Sequence, residues 1–116
     1  MPVRVVRRRY LLFRVISDEV HQEKEIWDTI RSSIQELYGI KGLSLIDPNL
    51  IGYNPETSNG ILRCIHDTER FLRTSLAYTI GIDGKPAAVR VQRSSGTLKA
   101  LRKKAGLEKP KKEAAR

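Results

Sequence analysis

The sequence predicts an α+β fold, a two-layer βαββαβ sandwich of the ferredoxin-like, RRM-like kind, with a basic helix added after it. Three observations predict it. Strand and helix periodicities follow in the order strand, helix, strand, strand, helix, strand. Two right-handed crossovers then interleave the strands into an antiparallel sheet of order 4-1-3-2, with both helices on one face. That order makes the first and third strands central. They hold no proline, whereas Pro48 and Pro86 fall on the predicted edges, where a missing N–H costs no ladder bond.

Each element has a local reason. Arg9 to Ile16 is a dense apolar run around Arg14 and reads as a central strand. Ser17, Asp18 and Glu19 form an acidic lead-in suited to a helix N-terminus. Ile26, Trp27, Ile30, Ile34, Leu37 and Tyr38 then recur at helical spacing, and Gly39 is a C-terminal stop. Leu43 to Tyr53 is apolar but broken by Asp47, Pro48 and Gly52, so it reads as an irregular edge strand or one with a bulge. Turn formers from Asn54 to Gly60 connect it to a returning strand that ends near His66.

Asp67, Thr68 and Glu69 cap a second helix, whose inner face is Phe71, Leu72, Ser75, Leu76 and Thr79, and which ends near Gly81. Asp83 and Gly84 form a turn. Lys85 to Arg93 alternates Ala87, Val89 and Val91 against Ala88, Arg90 and Gln92, the mark of a strand with one buried face. Thr97 is the N-cap of a third helix whose strong apolar positions are Leu98 and Leu101. The division expected is a basic arm over 1–8, the core over 9–96, the basic helix over 97–104, and a disordered basic tail over 105–116.

Alternation also assigns faces. Leu11, Phe13, Val15, Leu62, Cys64, Val89 and Val91 point toward the helices. Tyr10, Leu12, Arg14, Ile61, Arg63, Ile65, Arg90 and Gln92 point away. Three guanidinium groups, those of Arg14, Arg63 and Arg90, therefore share the face the helices leave open. Base stacking on that face needs aromatics, and only Tyr10 and Tyr53 are placed for it. Leu12, Ile61 and Ile65 would form an apolar patch, so cover by the basic helix or by a protein subunit is the favoured reading.

The charge of +9 is segregated. Tyr10 to Gly96 carries ten basic and eleven acidic residues, while Arg4, Arg7, Arg8 and Arg9 precede it, and eight Lys and Arg against two Glu follow it. Cationic extremities on a neutral body suit a polyanion, because each phosphate contact releases condensed counterions. Nucleic acid is the partner class implied. No stretch approaches the roughly 18 apolar residues of a membrane helix, so no membrane is expected. Arg14, Asp18 and Glu19 break the secretory pattern at the start, and one cysteine suits a reducing cytoplasm.

Own-side-chain catalysis is not expected. His21 in a polar helix start and His66 beside a cap read as surface residues, Cys64 as a buried inert thiol, and Glu19, Glu23 and Glu25 as a solvated helix face. No spacing suits zinc, and the acids after the first strand would repel a phosphate where small acylphosphatases of this strand order cradle one.

Three segments carry a more specific signal: Arg9 to Arg14 (Arg-Tyr-Leu-Leu-Phe-Arg), Gly52 to Cys64, and Gly84 to Leu101. In order and spacing they closely resemble the archaeal ribonuclease P protein component 2 family, over about Arg9 to Lys104. This family is the counterpart of a small protein subunit of eukaryotic ribonuclease P. The resemblance implies a noncatalytic subunit of the ribonucleoprotein that removes the 5′ leader of precursor tRNA. It also implies that the RNA subunit performs the hydrolysis with magnesium, the protein binding no cofactor. Partners implied are the ribonuclease P RNA, precursor tRNA and component 3, with a homodimer inside a heterotetramer also fitting. The alternative is a generic structured-RNA-binding or ribosome-associated protein.

Fixed cations replace part of the magnesium that a folded RNA needs. The candidate contacts are Arg7, Arg8 and Arg9 in the arm, Arg14 and Arg90 on the open face, Arg93, Ser95 and Thr97 before the third helix, and Lys99, Arg102, Lys103 and Lys104 within it. Free amides at the start of that helix, with the Thr97 hydroxyl, would suit a phosphate, and Ser95 and Thr97 as plain caps are the alternative.

Overall fold

A computed structural model of the protein describes residues 6–105, with side chains described through Leu101. The chain runs β1 (Arg8–Ser17), α1 (Glu23–Ile46), β2 (Asn49–Asn54), β3 (Asn59–Ile65), α2 (Glu69–Tyr78), β4 (Gly81–Ile82), β5 (Lys85–Ser95) and α3 (Leu98–Ala105). One antiparallel sheet holds the strands in the order β2-β3-β1-β5-β4. The class is the mixed α/β one expected, and the four long strands keep the expected order. The difference is β4, a two-residue strand beyond the predicted edge. Asp83 and Gly84 both take positive φ (52° and 78°), which gives the tight turn whose twist lets Gly81 and Ile82 pair back onto Pro86 and Lys85.

Two other elements depart from expectation. The helix begins at Glu23, not in the acidic lead-in. There the Gln22 N–H donates to Glu25 Oε1 at 3.4 Å, which satisfies an otherwise orphaned first-turn donor. Gly39 does break the helix, with φ 75° and ψ −177°, a conformation open to glycine. The chain then resumes helical structure to Ile46, where a strand was predicted from Leu43. Leu43 and Ile46 lie three apart and both reach the core, so a helical turn buries what the apolar run was read as burying in a strand. Asp47 ends the helix in the left-handed conformation, its N–H donating to the Leu43 carbonyl at 2.9 Å. The irregularity expected of β2 is present as a register shift between Leu50 and Gly52.

The core sits between the sheet and α1 and α2. Leu11, Phe13 and Val15 of β1, Leu62 and Cys64 of β3, and Val89 of β5 meet Ile26, Ile30 and Ile34 of α1 and Leu72 and Leu76 of α2. Full burial of a side chain of this size stabilises by about 1.5–3 kcal/mol. Two polar contacts tie elements of this core together. Thr79 Oγ1 donates to the Ser75 carbonyl (3.1 Å) and so accepts from buried Ser33 Oγ at 2.7 Å, joining α2 to α1. His21, predicted at the surface, is 4% exposed. Its Nδ1 donates to Glu25 Oε1 (3.1 Å) and its Nε2 lies 3.0 Å from Ser17 Oγ, so it ties the end of β1 to α1. Glu25, expected to be a solvated residue, accepts from both His21 and the Gln22 N–H.

Candidate nucleic-acid interface

Directly paired residues of an antiparallel sheet project from the same face. The register therefore draws the face opposite α1 and α2 as rows crossing the strands. One row is Asn54, Asn59, Arg14, Arg90, taken from β2, β3, β1 and β5. The next holds Ile61, Leu12 and Arg93. A third is Asn49, Arg63, Tyr10, Ser95.

A bulge decides the composition of this face. Leu12 pairs with Arg93 and Phe13 with Val91, so Gln92 is an extra residue in β5. Unbroken alternation would send Arg90 and Arg93 to opposite faces. The extra residue restores Arg93 to the face of Arg90 and Arg14, and it takes the place predicted for Gln92.

The third helix lies on this face. Leu101, 2% exposed, forms a second apolar cluster with Leu12 and Ile61, with Leu98, Tyr10 and Ile51 packed against it. Helical cover, favoured over base stacking, is what the structure has. Tyr53, one of the two aromatics considered for stacking, belongs to the other layer: it is buried and its ring stacks on Phe13, 6.1 Å between centroids. Tyr10 packs within the cluster beneath α3.

The candidate cations divide by environment. Arg14, Arg90 and Arg93 are exposed, and among the described residues none forms an ion pair with a carboxylate. Arg63 is half-buried, and its Nε is a buried donor without a partner among the described residues. Arg7 is exposed, its carbonyl accepting from the His66 N–H at 2.8 Å. Arg8 pairs with Asp47 at 2.9 Å.

Arg9 is the misfit among the predicted contacts, because it pairs with Cys64 in register and so lies on the helix side of the sheet. There its Nε donates to Glu69 Oε1 (3.0 Å) and its guanidinium also to Ser94 Oγ (2.9 Å). Arg73 holds the other Glu69 oxygen at 2.8 Å. Burial alone would raise the Glu69 carboxyl, and the guanidinium groups of Arg73 and Arg9 outweigh it, holding the carboxyl below the usual range. Arg9 is thereby committed to binding β1 to α2.

At the entry to α3, the Thr97 N–H donates to Ser95 Oγ at 3.0 Å, and the two hydroxyls are 3.3 Å apart. Ser95 Oγ thus caps the Thr97 N–H, one of the groups expected at the phosphate site. Lys99 is exposed, and the side chains of Arg102, Lys103 and Lys104 lie outside those described.

Burial pushes the Cys64 thiol up to about 11, beyond what a Thr68 hydrogen bond offsets. Among the described residues there is no group of three His, Cys, Asp or Glu side chains arranged to hold a metal ion. No helix among them is long and apolar enough to cross a membrane.

Comparison with known proteins bears on the same layers. Residues 9–106 match the Rpp14/Pop5 family. A protein named ribonuclease P protein component 2 from Pyrococcus horikoshii is 34% identical over 98 residues, 84% of this chain and 82% of that one. Its namesake from Methanocaldococcus jannaschii is 35% identical over 106 residues, 90% of this chain and 78% of that one. A chain in the cryo-EM structure of yeast ribonuclease MRP superposes with a TM-score of 0.68, covering 98% of each chain, and at 14% identity this likeness is one of fold. The family match begins within β1 and runs through both layers and α3, so the chain belongs to the Rpp14/Pop5 family.

Proposed function

We infer that the protein is a subunit of ribonuclease P, the endoribonuclease that removes the 5′ leader of precursor tRNA. The observation that carries this reading is the family match over 9–106, with relatives named ribonuclease P protein component 2 aligned over most of their length. The geometry supports a supporting role. Exposed Arg14, Arg90, Arg93 and Lys99 offer phosphates a cationic surface on one side of the sheet, and Cys64 is buried and held neutral. In this reading the RNA subunit breaks the bond with its magnesium, and the protein contributes charge and shape rather than catalytic groups.

A protein partner has a separate surface. Leu37, Ile40 and Leu45 are exposed apolar residues around the Gly39 break in α1, on the layer opposite the arginines. We propose that component 3, or a second copy of this chain inside a heterotetramer, is accommodated on that layer while RNA takes the other, in an archaeal cytoplasm.

Reconstitution tests the reading. Addition of the protein with its partner subunit to ribonuclease P RNA is expected to lower the magnesium concentration needed for precursor tRNA cleavage. An unchanged requirement overturns it.

A further inference from the structure

We propose that Arg14, Arg90 and Arg93 form a clamp for one phosphodiester group of an RNA strand crossing the uncovered part of the sheet. For its natural ligand this rests on the ribonuclease P reading. The clamp itself depends only on oxyanion chemistry.

Arg14 and Arg90 are directly opposite in the β1–β5 pair. Such neighbours have Cβ atoms about 4.5–5.5 Å apart, and like charges there are destabilising. Neutral amides, Asn59 and Asn54, complete their row, so no carboxylate along it relieves the repulsion. Arg93 joins them only because of the bulge at Gln92: it pairs with Leu12, one two-residue step or about 7 Å from Arg14 along β1. An extra residue that gathers three cations on one face raises the free protein's energy. A bound anion offsets part of that cost.

The cover on this face is selective. Leu98 and Leu101 of α3 seal Leu12 and Ile61, whereas Arg14 and Arg90, one row further along, remain exposed. Guanidinium forks match the spacing of phosphate oxygens and bind them in pairs. With Tyr53 in the core and Tyr10 under α3, the face lacks a free stacking platform, so the ligand class is the sugar-phosphate backbone rather than the bases.

The probe is inorganic phosphate, added to the full-length, RNA-free protein and compared with chloride at equal ionic strength. Wild type is expected to melt higher in phosphate than in chloride. Arg14→Gln and Arg90→Gln are each expected to abolish that difference, and each to melt higher than wild type in dilute chloride, because one repelling charge is gone. The raised melting point also establishes that the variants fold. Lys41→Gln, on α1, is expected to keep the phosphate effect. Against ribonuclease P RNA, each arginine variant is expected to bind several-fold more weakly, with a log–log salt slope reduced by about 0.7–0.9.

Equal melting in the two salts for wild type overturns the clamp, as does a phosphate effect that survives Arg14→Gln. A phosphate effect abolished in the variants with RNA affinity unchanged overturns the assignment to RNA. A clamp that holds while magnesium-dependent reconstitution fails would refute the ribonuclease P reading alone.

Discussion

The ring of Phe13 lies directly over Gly60. A Cβ built on Gly60 would meet three ring carbons at 2.5–2.9 Å, and Tyr53, paired with Gly60 on its other side, stacks its ring on Phe13 across the same glycine. The aromatic pair fills the space a side chain would take, which locks three strands in register. Gly60→Ala is expected to destabilise by about 1–3 kcal/mol, the usual cost of overpacking. Gly52→Ala, where nothing lies within 4 Å, is expected to cost less. Urea unfolding of both variants measures the difference.

The Glu69 carboxyl, held low by Arg73 and Arg9, makes stability depend on pH. Its contribution is fully present above the unfolded carboxyl pKa of about 4.3 and is lost as pH falls through the lower folded value. Glu69→Gln is expected to lower stability at neutral pH and to flatten the acid limb. Unfolding titrations between neutral and strongly acid pH read both effects.

Cys64 acts in the opposite direction at high pH. With the folded thiol near 11, the unfolded chain gives up its proton first, so stability declines as pH rises above about 8.5. Cys64→Ser is expected to remove part of that decline while destabilising at neutral pH. In the native protein at pH 8, a thiol reagent is expected to react at the rate of unfolding.

Leu101 is the main anchor of α3. Leu101→Ala is expected to cost about 2–3 kcal/mol at that site. Because the cluster beneath is small, the effect should appear as faster amide exchange in α3 and greater binding of an apolar dye over Leu12 and Ile61, with the helix-side core unchanged.

Replacement of Lys99, Arg102, Lys103 and Lys104 by Ala is expected to flatten the salt dependence of RNA binding, by about 0.7–0.9 in log–log slope for each phosphate left without its cation. An unaltered slope would make these residues bystanders to RNA binding. Filter binding over a salt series decides it.

By itself the sequence determined what local pattern can carry. Alternation placed Leu11, Phe13, Val15, Leu62 and Cys64 inward, helical spacing placed Ile26, Ile30 and Ile34, and the two crossovers put β1 and β3 between β2 and β5. Charge segregation is likewise a property of composition along the chain. The tertiary structure alone decided what depends on distant partners. Arg9 reaches Glu69 across 60 residues, Leu101 finds Leu12 across the whole fold, and the extra residue at Gln92 exists only relative to β1. A two-residue period has no phase marker for a bulge, and a charged side chain does not announce its counter-ion. For that reason the faces of β1 and β3 were readable from their residues, while the gathering of Arg14, Arg90 and Arg93 needed the sheet.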